Sequence, residues 1–593
     1  MTLLSRNVFK RAALLCIASA GTLTIPAFGT TIANIFTPDN LLLSRSVYAG
    51  DATTVTIGES LPPICPATAA CGTAKAIANG AYPTIGSANN VWNNNTVDGS
   101  FGITSPIFLD QITPLGATVS TFAVPTTTLT TSFSSKSELA LNLSLDRQYI
   151  TFMGYVADKN TLDVSNSNTP GVYDPTNPAG GSYYRAVLQI DATGAIQVTE
   201  TNAYSGNNGR AAIEANGVYY LVGNSNNGSG TPANVVASAG VQIAVPANGA
   251  VPGSPTELGT FNITQYGYTA DKAGKDNNFR GLTLFNNAVY VSKGSGSNGI
   301  NTVYQVGNGT TLPALTDAPN APITILPGFP TTLAKAAGAA NPFGLWFADA
   351  DTLYVADEGD GTAADAATST IAGLQKWIRA SGTWKRVYVL QSGLNLGVSY
   401  GIANYPPALN PVTDGIRNIT GRVNADGTVT VWGLTSTVSA NGDQGADPNK
   451  LVAITDVLAN TDPTVAAGES FVTLRTAVAG EVLRGISFTP NSLVPLPVSV
   501  TTSGLLFNRH TQTFSGTLTV TNNRPSTISG PLTVVLTGLN SSITLVGGTT
   551  VNGTPALVIP GTATLASGQS VSVPLQFQDP TVAAVAFTPA VIH

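Results

Sequence analysis

Short runs in which apolar and polar residues alternate follow one another along most of this chain. Residues 288–291 read Ala-Val-Tyr-Val and residues 352–355 read Thr-Leu-Tyr-Val, and a cluster rich in Gly, Asn or Asp follows each run. Alternation with a period of two is typical of a β-strand, and the residues that follow favour turns. Beyond the N-terminal region the sequence lacks long helical patterns. The pattern therefore predicts an all-β protein.

The strand candidates group into units of four that recur in the same order. One unit comprises residues 278–285, 288–292, 301–306 and 321–326, and the next comprises residues 341–347, 352–356, 373–378 and 384–390. Comparable first strands begin, roughly 70 residues apart, near Glu138, Arg210, Arg280, Phe343, Arg417 and Arg484. A four-stranded unit that repeats at this spacing resembles a blade of a β-propeller.

The two ends of this repeat complement each other. In the last unit the first strand, residues 483–488, runs directly into a Pro-rich segment, and the three strands that should follow it are missing. The N-terminal region supplies three strand candidates, residues 40–48, 106–110 and 119–124. A ring that these strands complete leaves no open strand edge. The sequence thus predicts a β-propeller of six four-stranded blades over residues 38–489, closed by N-terminal strands, with five or seven blades as alternatives.

The pattern changes after residues 490–497, which we interpret as a Pro-rich linker. Residues 513–520, 532–536 and 570–577 alternate cleanly, and about seven short strands in about a hundred residues are typical of an immunoglobulin-like β-sandwich. Residues 498–593 are predicted to form such a module. In this arrangement the chain resembles secreted bacterial β-propeller proteins that carry a C-terminal immunoglobulin-like module.

The N-terminus has the pattern of an export signal. Arg6, Lys10 and Arg11 precede an apolar stretch at residues 12–20, and residues 27–29 offer a small-residue cleavage site. Residues 1–29 are therefore predicted to be a signal peptide, which places the mature protein outside the cell or at its surface. No later segment is apolar for long enough to predict a membrane span.

Two of the three cysteines, Cys65 and Cys71, lie beyond the predicted signal peptide. An even number of cysteines in an oxidising compartment favours a disulfide, and these two are close enough in sequence to form a small loop. A structural Cys65–Cys71 disulfide is therefore predicted. A site for a soft metal would need more ligands than the chain has.

Charge and histidine content restrict the function. Charged residues make up only 10% of the chain and the formal net charge is −6, so nothing favours binding to nucleic acid or to an acidic membrane. The two histidines, His510 and His593, both lie after the predicted propeller. Proton transfer by histidine and Ser–His–Asp catalysis are thereby excluded within the propeller.

Four arginines occupy the same position at the start of predicted first strands: Arg210, Arg280, Arg417 and Arg484. Lys136 and Glu138 lie near this position in a fifth unit. In propellers the start of the innermost strand lies at the rim of the central channel, so the four arginines and Glu138 are the predicted ligand-binding site. The planar guanidinium group suits carboxylate, phosphate or sulfate. The alternative is structural, with each arginine bound to loop carbonyls or to an Asp of a neighbouring blade.

An acidic segment offers a weaker candidate site. Asp357, Asp360 and Asp365 lie close together in sequence and have oxygen ligands that suit calcium, the one cofactor that the sequence indicates. The segment lacks the full twelve-residue calcium-loop pattern, so an ordinary Asp-Gly turn is the alternative.

These features predict an extracellular protein that recognises an anionic or glycan ligand with the loop-rich face and basic channel rim of its propeller. One alternative is a hydrolase or lyase that acts without histidine on an anionic polysaccharide or phosphoester. Another is a structural surface or adhesion protein. The sequence leaves the ligand and the oligomeric state open.

Overall fold

The computed structural model describes residues 34–48, 103–133, 135–161, 163–177, 181–225, 232–247, 255–405, 407, 410–424, 426–439, 447–491, 498–522, 528–529, 532–551, 554–559, 564–579 and 584–592. The predicted signal peptide, the predicted Cys65–Cys71 disulfide, His593 and residues 492–497 of the Pro-rich segment lie outside these ranges.

The protein is all-β, as predicted, with 48% strand and 5% helix. The strands before residue 310 are β1 (Leu41–Val47), β2 (Thr104–Ser105), β3 (Ile107–Ile112), β4 (Thr118–Ala123), β5 (Thr131–Ser132), β6 (Asn142–Leu143), β7 (Tyr149–Tyr155), β8 (Arg185–Asp191), β9 (Ile196–Thr201), β10 (Gly209–Ala215), β11 (Val218–Gly223), β12 (Gly240–Ala244), β13 (Thr256–Gly259), β14 (Leu282–Phe285), β15 (Ala288–Lys293) and β16 (Thr302–Val306).

The later strands are β17 (Ile323–Ile325), β18 (Pro342–Asp349), β19 (Thr352–Asp357), β20 (Gly373–Ala380), β21 (Thr383–Leu390), β22 (Val412–Val423), β23 (Thr428–Val438), β24 (Lys450–Val457), β25 (Val472–Thr476), β26 (Glu481–Phe488), β27 (Ser499–Thr502), β28 (Leu506–Asn508), β29 (Thr513–Thr521), β30 (Ile528–Ser529), β31 (Leu532–Thr537), β32 (Thr544–Leu545), β33 (Thr549–Val551), β34 (Thr554–Ile559), β35 (Thr564–Leu565), β36 (Ser570–Gln578) and β37 (Thr588–Ile592).

Helices are few and short. The α-helices are α1 (Ala233–Val236), α2 (Ala363–Ala366) and α3 (Pro463–Ala466), and the 3-10 turns are Val164–Asn166, Ile263–Tyr266 and Leu315–Asp317. None of the helices in the described ranges is long and apolar enough to cross a membrane.

Between Leu41 and Phe488 the described strands form several four-stranded antiparallel sheets, and in all of these but the last one named below the strands follow the order of the chain. We number them sheet I (β6–β9), sheet II (β10–β13), sheet III (β14–β17), sheet IV (β18–β21), sheet V (β22–β25) and sheet VI (β26, β1, β3, β4). Sheet VI contains the predicted pairing of N-terminal strands with the last strand, since β1 lies antiparallel to β26 with Leu43 opposite Ile486.

The first strands of these sheets contact one another in a closed order. Strand β6 contacts β10, β10 contacts β14, β14 contacts β18, β18 contacts β22, β22 contacts β26, and β26 contacts β6. Apolar cores join neighbouring sheets in the same way. Phe329 of the segment after sheet III, for example, stacks on Trp377 of sheet IV with 3.9 Å between the ring centroids. The starts of the first strands are therefore gathered in one region.

Strands β27 to β37 pair only with one another within the described residues. Strands β27, β29, β36 and β32 form one sheet together with β28, and β33, β34, β31 and β37 form another. One apolar core, which includes Leu518, Val534 and Phe577, contains residues of both sheets.

Candidate functional site

The predicted arginines lie where the first strands meet. Arg210, Arg417 and Arg484 are in β10, β22 and β26, and Arg280 lies two residues before β14. All four are at most 6% exposed. Guanidinium groups buried to this extent need partners, and the partners differ from one arginine to the next.

Glu358 is the acidic partner that the sequence analysis did not single out. It follows β19 directly. Its carboxylate accepts a hydrogen bond of 3.0 Å from Arg417 Nε and forms an ion pair with Lys136 Nζ at 3.4 Å. Burial alone would raise the pKa of Glu358, but the charges of Lys136, Arg280 and Arg417 lower it to about 2. Glu358 is therefore a buried carboxylate that stays ionised.

Arg280 is held by neutral groups. Its Nη atoms donate to the hydroxyls of Ser137 and Ser295, and the guanidinium lies over the ring of Phe343 at 5.7 Å from the centroid. The Nε atom is buried and has no hydrogen-bond partner among the described residues. Burial and the neighbouring charge of Arg417 lower the pKa of Arg280, although Glu358 acts in the opposite direction.

Arg210 also has neutral partners. It donates to the side-chain oxygens of Asn208 and Asn278 and, over 2.8 Å, to the carbonyl of Phe279. These bonds connect sheets II and III but do not neutralise the charge. Burial and the charge of Arg280 lower the pKa of Arg210 well below its usual value.

Arg484 fits the structural alternative. It donates to the carbonyls of Phe133 and Ser135 and to the hydroxyl of Ser46, 3.1 Å away. These contacts fasten β26 to the segment before β6 and to β1. Arg484 therefore holds sheet VI against sheet I.

We define the cationic cluster as Lys136, Arg210, Arg280 and Arg417, which surround the carboxylate of Glu358. Burial lowers the pKa of Lys136 to about 8, and the charges of Arg280 and Arg417 act in the same direction against Glu358. Lys136 is the most accessible member, with 28% of its side chain exposed. The cluster therefore carries more positive than negative charge and reaches solvent at Lys136.

Glu138 has its oxygens engaged by protein groups. It accepts hydrogen bonds from the Tyr155 hydroxyl, from Thr131 Oγ1 at 2.8 Å and from the Ser132 amide at 3.0 Å. Burial raises its pKa, although these donors oppose the effect. Arg185, which the sequence analysis missed, is fully buried with its guanidinium 5.3 Å from the centroid of the Tyr155 ring. Glu138 belongs to this neighbouring buried network.

The predicted calcium ligands separate in the structure. Asp357 is fully buried and accepts hydrogen bonds from the Asn341 amide, the Gly359 amide and the Gln375 side chain. Asp360 lines a cavity of about 260 Å³, whereas Asp365 is exposed on α2 and is not among the lining residues. The described residues contain no group of three or more His, Cys, Asp and Glu side chains placed to hold a metal ion. The calcium site stays a prediction.

The cavity brings Asp360 together with a residue that the sequence analysis missed. Asp414, the third residue of β22, also lines it and is 3% exposed. Burial and the neighbouring charges of Asp360 and Glu358 raise the pKa of Asp414 to about 7. In the sequence, only its position three residues before Arg417 could have indicated that Asp414 belongs to a site. The partners of Asp414 come from the segment after β19, which is distant in sequence.

No family of known protein sequences and no curated protein matches this chain. Similar solved structures include the N-terminal domain of Nup159, at 6% identity and a TM-score of 0.25, over 82% of this chain and 94% of that domain. A structure from work on two prolyl endopeptidases is 11% identical with a TM-score of 0.24 over 71% of this chain, which spans about half, 52%, of that protein. Such low TM-scores give no information about the function of this chain.

Proposed function

We propose that this protein is exported and binds an anionic ligand at the cationic cluster. In this proposal the strands up to Phe488 form a β-propeller of six blades closed by its N-terminal strands. Residues 498–593 form an immunoglobulin-like module that serves as a spacer or attachment domain.

Two features of the fold support this architecture. The four-stranded sheets keep the strand order that a propeller blade has, and their first strands contact one another in a closed order. The strands after Ser499 form separate sheets around a core of their own, as an accessory sandwich does.

The excess positive charge of the cationic cluster is the observation that carries the functional proposal. Three arginines and Lys136 lie around one carboxylate, Glu358, and Arg210 and Arg280 donate to neutral side-chain amide, hydroxyl and carbonyl oxygens. Like charges gathered in a poorly hydrated site repel one another unless an anion compensates them. A bound anion would supply that compensation and an acceptor for the Nε atom of Arg280.

The ligand class follows from the donors. Guanidinium groups bind carboxylate, phosphate and sulfate through paired N–H donors, and a lysine at the open side adds a mobile positive charge. We therefore expect a small multivalent anion or the charged group of an acidic glycan.

Thermal unfolding in sulfate, phosphate and citrate tests the proposal, with sodium chloride at equal ionic strength as the reference. An anion that binds the folded state at about one hundred times its Kd stabilises it by about 2.7 kcal/mol. We expect at least one of the three anions to raise the Tm of the parent protein beyond the chloride reference.

Arg280→Gln should lose this stabilisation, because it removes a guanidinium from the cluster. Lys385→Gln, which removes one charge from an exposed position on β21, is the matched control and should retain it. Since a buried arginine can also be needed for folding, Lys136→Gln gives the same comparison at the accessible edge of the cluster. Equal anion stabilisation of all variants, or none in the parent protein, would assign the arginines to the structural role.

A further inference from the structure

The cavity beside the cationic cluster has an acidic wall. It has a volume of about 260 Å³, and its polar lining includes Asp360, Asp414, Asn341 and Ser369. The rest of the lining consists of Ala and Gly residues and Ile371. A volume of this size accommodates several waters at about 30 Å³ each.

Asp414 is the residue that indicates a ligand. Its Oδ2 atom accepts a hydrogen bond of 2.8 Å from the Gly361 amide, but its Oδ1 atom is buried and has no hydrogen-bond partner among the described residues. A buried carboxylate oxygen without a donor or a cation is costly. The side chain is 3% exposed, and Asp414 is one of the residues that line the cavity.

The local backbone is built around this carboxylate. Gly359 has a φ of +83°, and a Cβ atom at this position would collide with the carboxylate of Asp414. Glycine therefore both permits the left-handed turn and admits the close approach of Asp414 to the loop. On the same loop Asp360 accepts a hydrogen bond of 2.8 Å from the Thr362 amide, which fixes its carboxylate at the cavity.

We infer that this cavity binds a divalent cation, and specifically Ca²⁺, through the carboxylates of Asp414 and Asp360. Calcium prefers oxygen ligands and takes six to eight of them. Asn341 Oδ1 already accepts a hydrogen bond from Asn301, and Ser369 Oγ accepts one from the Ala372 amide, so the two carboxylates are the ligands that the protein supplies. Waters in the cavity complete the coordination shell, since only two carboxylates contribute. A site of this composition is expected to be weak, in the range of about 0.1 to 1 mM that is typical of extracellular modules.

This proposed site differs from the ligand set that the sequence predicted. Asp360 is retained, Asp414 replaces Asp357 because the oxygens of Asp357 already accept hydrogen bonds from protein groups, and Asp365 is not part of the site. The inference does not depend on anion binding at the cationic cluster.

Equilibrium dialysis of the full chain against CaCl₂ measures the binding directly. We expect one Ca²⁺ per chain at this site, with at least about tenfold weaker binding in Asp414→Asn and in Asp360→Asn. Asp365→Asn is the matched control, because it removes a carboxylate from the same segment outside the cavity, and it should bind as the parent protein does. Circular dichroism establishes that each variant is folded.

Three results would overturn the inference. The first is that no Ca²⁺ binds at 10 mM, which is on the order of ten times the expected Kd. The others are equal Ca²⁺ binding by the parent protein, Asp414→Asn and Asp360→Asn, or weaker Ca²⁺ binding in Asp365→Asn alone. Competition adds a further criterion. If methylammonium chloride displaces Ca²⁺ no better than sodium chloride does, the cavity is a metal site. If Ca²⁺ does not bind and methylammonium does, the cavity is a site for an organic amine instead. Should Asp414→Asn be unfolded, Asp360→Asn decides, because its side chain is exposed.

Discussion

Arginines at one repeated position have different hydrogen-bond partners because the segments around them differ. Arg484 donates to the carbonyls of Phe133 and Ser135, so it serves the packing of sheet VI on sheet I. Arg280 donates to two hydroxyls and keeps a buried Nε atom without a hydrogen-bond partner among the described residues. The residue type is the same in both cases, and only the partners supplied by other segments separate a structural arginine from a candidate ligand-binding one.

Glu358 is expected to be the most sensitive single charge in the cationic cluster. Glu358→Gln removes the carboxylate charge that pairs with Lys136 and Arg417, and removal of one partner of a buried ion pair destabilises a protein by about 3–5 kcal/mol. We expect a loss on the order of 3 kcal/mol in urea unfolding at pH 7. Asp365→Asn, which removes an exposed carboxylate nearby, should change the stability by less than about 0.5 kcal/mol.

The same residue should make stability depend on pH in acid. The pKa of Glu358 is lowered to about 2 in the folded protein from the ordinary value of 4.5, so its contribution is complete above pH 4.5 and is lost as the pH falls from 4.5 to 2. The difference in unfolding free energy between the parent protein and Glu358→Gln should therefore shrink over this interval. A difference that is constant from pH 7 to pH 2 would contradict the assignment.

At the scale of elements, close approach between first strands joins the sheets. A Cβ atom on Gly281 would collide with the carbonyl of Phe343, one on Gly344 would lie 2.6 Å from the carbonyl of Arg417, and one on Gly485 would collide with the carbonyl of Leu139. Each glycine lets the first strand of one sheet lie directly against the chain at the start of the next. Glycine in a strand interior often marks such an approach of another backbone.

Gly485→Ala should therefore destabilise the contact between sheets VI and I. The added methyl group cannot be accommodated without a backbone shift, and overpacking of this kind costs about 1–3 kcal/mol. Gly401→Ala is the control, because the nearest atom to its Cβ would be Asn410 Nδ2 at 3.9 Å. Chemical unfolding should place the first variant well below the parent protein and the second close to it, and equal stabilities would disprove the close contact.

The sequence predicted individual strands correctly where apolar and polar residues alternate strongly. The predicted strands 288–292, 373–378 and 384–390 correspond to β15 (Ala288–Lys293), β20 (Gly373–Ala380) and β21 (Thr383–Leu390). Strand β6 has only two residues, Asn142–Leu143, which is too short for periodicity to locate it. Local pattern therefore locates long strands, whereas the shortest ones depend on pairing with a neighbour.

At the scale of the whole molecule, the N-terminal strands complete a sheet with a strand from the other end of the chain. Leu41 and Leu43 lie in one core with Trp432 of sheet V, and Leu42 lies in another with Phe152 of sheet I. Arg45 adds ion pairs of 3.0 Å to Asp110 and 2.5 Å to Glu481. Sheet VI is thus held from both sides by contacts between residues distant in sequence.

Deletion of residues 31–125 should abolish cooperative unfolding of the sheets up to Phe488. The deletion removes β1, β3 and β4, exposes the edge of β26 and opens the cores that sheet VI shares with sheets V and I. Deletion of residues 498–593 is the control and should leave the main transition in place, because those strands pair among themselves. Differential scanning calorimetry compares the two, and an unchanged transition in the first deletion would rule out a closed ring.

The sequence by itself determined the all-β class and the pairing of the N-terminal strands with the last strand. The all-β class follows from alternation with a period of two and from turn-forming residues, which act over a few neighbouring positions. The pairing follows from the four-strand repeat, whose last unit lacks the three strands that the N-terminal region supplies. The repeat also predicted arginines at the starts of first strands, whereas in the structure Arg417 is the sixth residue of β22 and Arg484 the fourth residue of β26.

The tertiary structure decided which side chains lie next to one another at the candidate sites. Glu358 faces Lys136 across 222 positions of sequence, and Asp414 lines a cavity with Asp360 of another sheet's loop. The charge balance of the cationic cluster and the surroundings of the buried Oδ1 atom of Asp414 depend on which segments the fold brings together. Electrostatic and hydrogen-bond energies depend on distance in space and on burial. No local pattern in the sequence carries that information.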